Sequence, residues 1–168
     1  MKSKLQLLIL LVLAFSLIQI GVTLTMAKKT TDQIVTDLAD REGIRDIVVR
    51  YYDAVWREDV PGIVDLFAEN GSFMMKGGTF SGQRQATGRA SLLKLYQEGL
   101  SALSPRPYLH NHVIDLKGNG RASGRCYIEL RSGSDFNWLG AVTYEDEYVK
   151  VGDQWKFQTR TATAVHGV

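Results

Sequence analysis

One cysteine and three histidines are all that 168 residues provide of the two most versatile ligating side chains. A lone Cys126 excludes an intrachain disulfide and any zinc site built from several cysteines, and leaves the thiol as a small buried hydrophobe. Acidic residues are missing from the first 27 positions, where Lys2 and Lys4 stand, so residues 28–168 carry 18 basic and 18 acidic side chains. A formally neutral domain lacks the basic excess that phosphate backbones require, which argues against a nucleic-acid partner. The length suffices for one domain with one sizeable core. Internal repeats and low-complexity segments are absent. Gly118-Asn119-Gly120 joins strand to strand with no following helix, so it is no phosphate loop. No Ser-His-Asp arrangement, nucleotide fingerprint or paired-carboxylate motif stands out, and no cofactor is required.

Residues 5–24 are uncharged, long enough as a helix to cross about 30 Å of hydrocarbon. With Lys2 and Lys4 ahead and Thr25-Met26-Ala27 behind, residues 1–27 read as a signal peptide or as a membrane anchor. A start at Met26 fits as well, since Met26-Ala27-Lys28-Lys29 leads directly into a polar helical segment. The first two readings export or anchor the protein; the third leaves it cytoplasmic. The folded domain spans 28–168, and any membrane attachment rests on residues 5–24.

Ile44, Ile47, Val48, Tyr51, Tyr52 and Val55 recur at the spacing of one helix face and predict a long first helix. Asp59 before Val60-Pro61 is an N-cap, and Val60, Ile63, Val64 and Phe67 carry a second helix to Ala68. Asn70-Gly71 should break it, with a short strand at Ser72 to Met75 and a small hairpin around Gly77-Gly78 and Gly82. Leu92, Leu93, Leu95, Tyr96 and Leu100 give a third helix. After Ser104-Pro105-Arg106-Pro107 the pattern turns to strands at Tyr108–Leu116, Ala122–Arg131, Trp138–Val151 and Gln154–Ala164. The class is α+β, with three N-terminal helices on one face of a curved, mainly antiparallel sheet that would enclose a cavity.

Period two places the polar candidates. His110 and His112 fall on one face with Tyr108, Ile114 and Leu116, either as a base with its partner, as half of a metal site, or on a dimer-facing side. Tyr144 and Asp146 share a face, as do Gln158 and Arg160 on the next strand. Glu129 lies on the other face from Ile128 and Leu130, where it would form a dimer-side salt bridge. Arg45, Arg50 and Lys150 read as solvated charges.

Ala39-Asp40-Arg41-Glu42-Gly43-Ile44-Arg45-Asp46 leading into Tyr51-Tyr52-Asp53-Ala54, then Leu66-Phe67-Ala68-Glu69-Asn70-Gly71, resembles the nuclear transport factor 2-like, SnoaL-like superfamily. His110 to Leu116, Arg121 to Tyr127 and Tyr144 to Phe157 look like its strand signatures, and the resemblance covers residues 36–164. It implies a cone-shaped α+β fold, a homodimer through the outer sheet face, and an apolar pocket for a small apolar molecule. The family includes dehydratases, isomerases, cyclases and non-catalytic binding modules, so fold alone does not fix function. Its dehydratases use an Asp late in the first helix and a His early in the first long strand. Those positions fall on Trp56 and Pro107, neither of which can carry a proton at neutral pH.

The same alignment places Tyr51 at a functional tyrosine position and turns Asn111 toward the pocket. It makes Tyr144, Asp146 and Arg160 cavity-lining, with Trp56 as an apolar lid or stacking surface. Two functions follow as expectations. One is a cofactor-independent lyase or isomerase of dehydratase or cyclase type, with His110 as base, Tyr51 as proton donor and Arg160 with Asn111 as oxyanion stabilisers. Trp56, His112, Tyr144 and Asp146 would then bind substrate. The other is a non-catalytic module that binds a small ligand or dimerises.

Overall fold

The computed structural model describes residues 29–77 and 84–167, with side chains described to residue 165. The uncharged segment 5–24, the cleavage-like Thr25 to Ala27 and the hairpin tip containing Gly78 and Gly82 lie outside them. Among the described residues no helix is long and apolar enough to cross a membrane. Residues 35–168 form one compact unit.

Helix α1 (Thr31–Trp56) is followed by α2 (Val60–Asp65), strands β1 (Phe67–Lys76) and β2 (Arg84–Thr87), helix α3 (Arg89–Leu103), and strands β3 (Pro105–Gly118), β4 (Arg121–Ser132), β5 (Trp138–Val151) and β6 (Gln154–Gly167). The sheet order is β2-β1-β6-β5-β4-β3, antiparallel except where β1 runs parallel to β6. The sheet is therefore mixed, though mainly antiparallel, and α3 follows the first two strands, where the third helix was expected.

α1 buries the stripe that its sequence predicts: Ile44, Ile47, Val48, Tyr51, Tyr52 and Val55 all lie in the core. Each such side chain contributes roughly 1.5–3 kcal/mol on burial, far more than helix propensity supplies. Asp40 fixes the other end of this packing. Its Oδ1 accepts from Lys150 Nζ at 2.8 Å and from Trp155 Nε1 at 3.0 Å. Lys150 is thus paired, where the sequence suggested a solvated charge. Arg45 and Arg50 remain on the surface beside Glu42 and Asp46.

Asp59 caps α2 as expected, accepting from Gly62 N at 3.0 Å. The helix ends at Asp65, however, and Phe67 and Ala68 already belong to β1. Phe67 pairs with Phe157, and β1 passes through Asn70-Gly71 by way of a register shift between Phe67 and Ser72. Helical spacing and a buried strand start are indistinguishable over so short an apolar run. β3 likewise begins earlier than Tyr108, at Pro105, paired with Ser132. Two prolines are tolerated because β3 is the sheet edge, where the missing N–H groups cost no ladder bond.

Candidate functional site

Two bulges decide which side chains reach the helix-covered face. In β3, Leu109 pairs with Ile128 and Asn111 with Tyr127, which leaves His110 as an extra residue. In β6, the partners of Glu147 and Tyr148 are Thr159 and Phe157, so Gln158 is extra in the same way. Each extra residue inverts the alternation beyond it. Leu109 and His112 consequently both face the helices, whereas His110 and Asn111 face outward. His110 has a side chain 60% exposed and lies 4.0 Å from Glu129, which also pairs with Arg131 at 2.6 Å. Asn111 is exposed and accepts from the Tyr127 amide at 3.3 Å. The expected pairing of His110 with His112 on one face is therefore corrected, as are the expected orientation of Asn111 toward the pocket and the sharing of a face by Gln158 and Arg160.

Asp146 and Arg160 are directly opposed across β5 and β6 and are almost completely buried, at 3% and 0% exposure. The Arg160 guanidinium lies between aromatic rings, its Cζ 4.1 Å from the ring centres of both Tyr51 and Tyr144 and 4.6 Å from that of Phe157. Nη2 donates to Tyr52 Oη at 2.9 Å and approaches Cys126 Sγ at 3.7 Å, and Nε stands 3.6 Å from Asp146 Oδ1. Burial opposes the charge on Arg160, but Asp146, Tyr52, Cys126 and Tyr51 outweigh it and hold its pKa well above the ordinary guanidinium value. Burial likewise pushes Asp146 up, against the pull of Arg160 and of a hydrogen bond from Tyr148.

From Asp146 a chain of hydrogen bonds leads outward. Tyr148 Oη donates to Asp146 Oδ2 at 2.9 Å, and His112 Nε2 lies 3.0 Å from the same hydroxyl. Since the only phenolic proton is used on Asp146, His112 must donate, and its neutral ring carries the proton on Nε2. Burial, reinforced by Arg160 and Arg45, lowers the His112 pKa to about 4. Gly124 makes this contact possible, because a Cβ there would stand 2.9 Å from Tyr148 Cε2 and 3.1 Å from His112 Nε2.

A separate cavity of about 100 Å³ opens between α1, α3 and the sheet. Tyr51, Tyr96 and Tyr144 line it among apolar neighbours such as Val55, Phe73, Leu100 and Val142. Arg160 and Asp146 are not among its lining residues, and the rings of Tyr51 and Tyr144 contact the guanidinium. Tyr51 Oη and Tyr96 Oη are 3.1 Å apart. Burial raises all three phenols well above their usual pKa, so they remain protonated and serve as hydrogen-bond donors. Lys76, the one charged lining residue among the described residues, is exposed at the end of β1 and pairs with Thr163.

The two positions that the resemblance assigns to an acid–base dyad are neighbours here: Trp56 Nε1 donates to the Pro107 carbonyl at 2.8 Å. Pro107 forms part of the cavity wall. Trp56 turns toward Tyr108, Phe136 and Arg106 and does not line the cavity, contrary to its expected role as a lid. Tyr148, Tyr52 and Tyr96 were not singled out from the sequence. Period two along β5 extends the face of Tyr144 and Asp146 to Tyr148, and that signal was available.

Among curated proteins, none matches the chain in sequence. Solved structures do match in fold. A nuclear transport factor 2-like protein with a cystatin-like fold from Novosphingobium aromaticivorans superposes with a TM-score of 0.68 at 18% identity, covering 83% of this chain and 92% of that one. A Mycobacterium tuberculosis protein of unknown function gives 0.67 at 19% identity, with 82% and 77% covered. A Novosphingobium aromaticivorans protein provisionally assigned as a scytalone dehydratase gives 0.64 at 22% identity, with 79% and 88% covered. At these identities the likeness concerns the fold, a curved mixed sheet covered by helices. The SnoaL-like domain pattern matches residues 36–161, and the chain accordingly belongs to the SnoaL-like domain family.

Proposed function

We propose that this domain binds a small, largely apolar molecule carrying one carbonyl or hydroxyl oxygen, and holds it without transforming it. The observation that carries this reading is the tyrosine-lined cavity itself. Tyr51 and Tyr96 share one hydrogen bond, which uses one of their two phenolic protons and leaves the other free for a ligand oxygen. The remaining wall is apolar, as ligand sites with a few polar anchors are. Drug-sized ligands need about 300–1,000 Å³. A cavity of about 150 Å³ holds benzene, so about 100 Å³ encloses about four non-hydrogen atoms, and a six-atom ring enters with part of it in the open mouth beside Leu103.

The lyase or isomerase reading draws on the provisionally assigned dehydratase among the structural neighbours and on the same phenols as proton donors. It lacks a base in place. His110 faces outward, the Trp56 and Pro107 positions are joined to each other, and His112 is spent on Tyr148. The homodimer that the family implies would use the outer sheet face, where Val113 and Tyr127 are exposed, and sedimentation equilibrium tests it.

Titration with cyclopentanone and with methylcyclopentane, followed by protein NMR, tests the binding reading. Cyclopentanone should shift cavity resonances and bind about tenfold tighter than the hydrocarbon, the value of one net hydrogen bond. Tyr51→Phe combined with Tyr96→Phe should remove that preference. Absence of shifts at Tyr51, Tyr96 and Leu100 with both probes would refute the site.

A further inference from the structure

The last turn of α3 forms one wall of the cavity through Gly99, Leu100 and Leu103, and Leu103 is exposed where the cavity meets solvent. Gly99 has no packing reason to be glycine, because a Cβ there would meet nothing within 4 Å. Its effect is on the backbone: glycine inside a helix loosens it relative to alanine. Five residues on, Ser104 ends α3 in the left-handed region at φ 41, a strained conformation for a residue with a side chain. What holds it there comes from the far side of the cavity wall. Glu58, itself at φ 56 just beyond α1, accepts from Ser104 Oγ at 2.6 Å and from both terminal nitrogens of Arg106 at 3.3 Å, all on Oε1. Gly133 closes over the same spot, with space for a Cβ blocked by Ser104 Oγ at 2.5 Å. Strained residues joined by one carboxylate beside a cavity are where a moving part is expected.

We infer that residues 99–103 are a lid over the cavity, hinged at Gly99 and latched shut by Glu58 through Ser104 and Arg106. The lid rests on the reading of the cavity as a ligand site, but its motion has a readout of its own. Opening unwinds the last turn of α3, in which the Ser104 amide donates to Leu100 O at 2.7 Å, and so breaks that bond.

Two measurements on the full chain test it: amide hydrogen exchange, and NMR exchange kinetics with cyclopentanone. In Glu58→Ala the Ser104 amide should exchange several-fold faster while amides of β5 and β6 keep their protection. The association and dissociation rates of cyclopentanone should both rise, with Kd unchanged to within about twofold, since a gate alters rates more than affinity. Gly99→Ala, which has room for its methyl group, should slow all three processes. Ser104→Ala removes one latch bond and should act in the direction of Glu58→Ala if that variant folds poorly. Unchanged Ser104 exchange in Glu58→Ala and Ser104→Ala, or a change in Kd carried by the dissociation rate alone, would overturn the lid. Faster Ser104 exchange in a protein that binds neither probe would uphold the lid and overturn the binding reading instead.

Discussion

Arg160 and Asp146 each offset the cost of burying the other's charge, and the two partners respond differently to losing each other. In Asp146→Asn the guanidinium remains, fully buried, with no carboxylate beside it, and it cannot discard its proton. Breaking a buried pair from one side costs about 3–5 kcal/mol. Against a total stability of about 5–15 kcal/mol this is a large fraction, and it corresponds to a fall of roughly 10–20 °C in Tm for a domain of this size. In Arg160→Met the abandoned carboxyl can protonate instead, since burial already pushes its pKa up and the pull of Arg160 is gone. That variant should be milder at pH 5 than at pH 8, by as much as about 1.4 kcal/mol per unit over the interval in which the folded carboxyl takes up its proton.

The double variant Asp146→Leu with Arg160→Met should recover most of the loss, less the cation–π attraction of the rings around Cζ, about 1–2 kcal/mol in all. Urea unfolding of the three variants at both pH values gives the full cycle. A cost below about 1 kcal/mol for Asp146→Asn, or a pH-independent cost for Arg160→Met, would refute this account of the buried pair.

Other consequences are simpler to measure. Gly124→Ala should destabilise by about 1–3 kcal/mol in urea, because its methyl group would collide with Tyr148, with His112 and with the Val113 carbonyl at 2.9 Å. His112 has a folded pKa of about 4 against roughly 6.5 when unfolded, so the unfolded chain binds more protons between those values. Its contribution to stability is complete above pH 6.5 and declines as pH falls toward 4, by about 1–2 kcal/mol once solvent screening of its half-buried ring is allowed for. His112→Gln should lose that part of the pH dependence in unfolding titrations. Trp56→Phe should keep the fold but lower protection of the β3 start, because Pro107 loses its hydrogen-bond donor.

Much of the fold was legible because its signals are long. The i, i+3, i+4 stripe of α1, the Asp59 cap and the glycine-bearing turns between β3, β4, β5 and β6 each stand out against any alternative reading of their segments. Asp146 and Arg160 came together only through the family resemblance, which made both cavity-lining; the structure buries them side by side but outside the cavity lining. What failed has one physical origin. A bulge adds a single residue without changing the composition of a strand, and the additions at His110 and Gln158 reverse every later inference about faces. His110 thereby lost its expected place in the cavity, and His112 gained a place in the buried network. The latch was invisible for a different reason, as Glu58, Ser104 and Arg106 are ordinary surface residues until the chain brings α1 beside the start of β3.

The central claim is that the cavity holds its ligand without moving protons. Cyclopentanone in D₂O measures this directly, because a base placed against the bound ketone would exchange its α-hydrogens for deuterium. The account predicts saturable binding that Tyr51→Phe with Tyr96→Phe weakens, with α-hydrogen exchange no faster than in buffer. Exchange accelerated by the protein in a saturable manner and abolished in the same double variant would contradict it, and would establish the cavity as a site of acid–base catalysis.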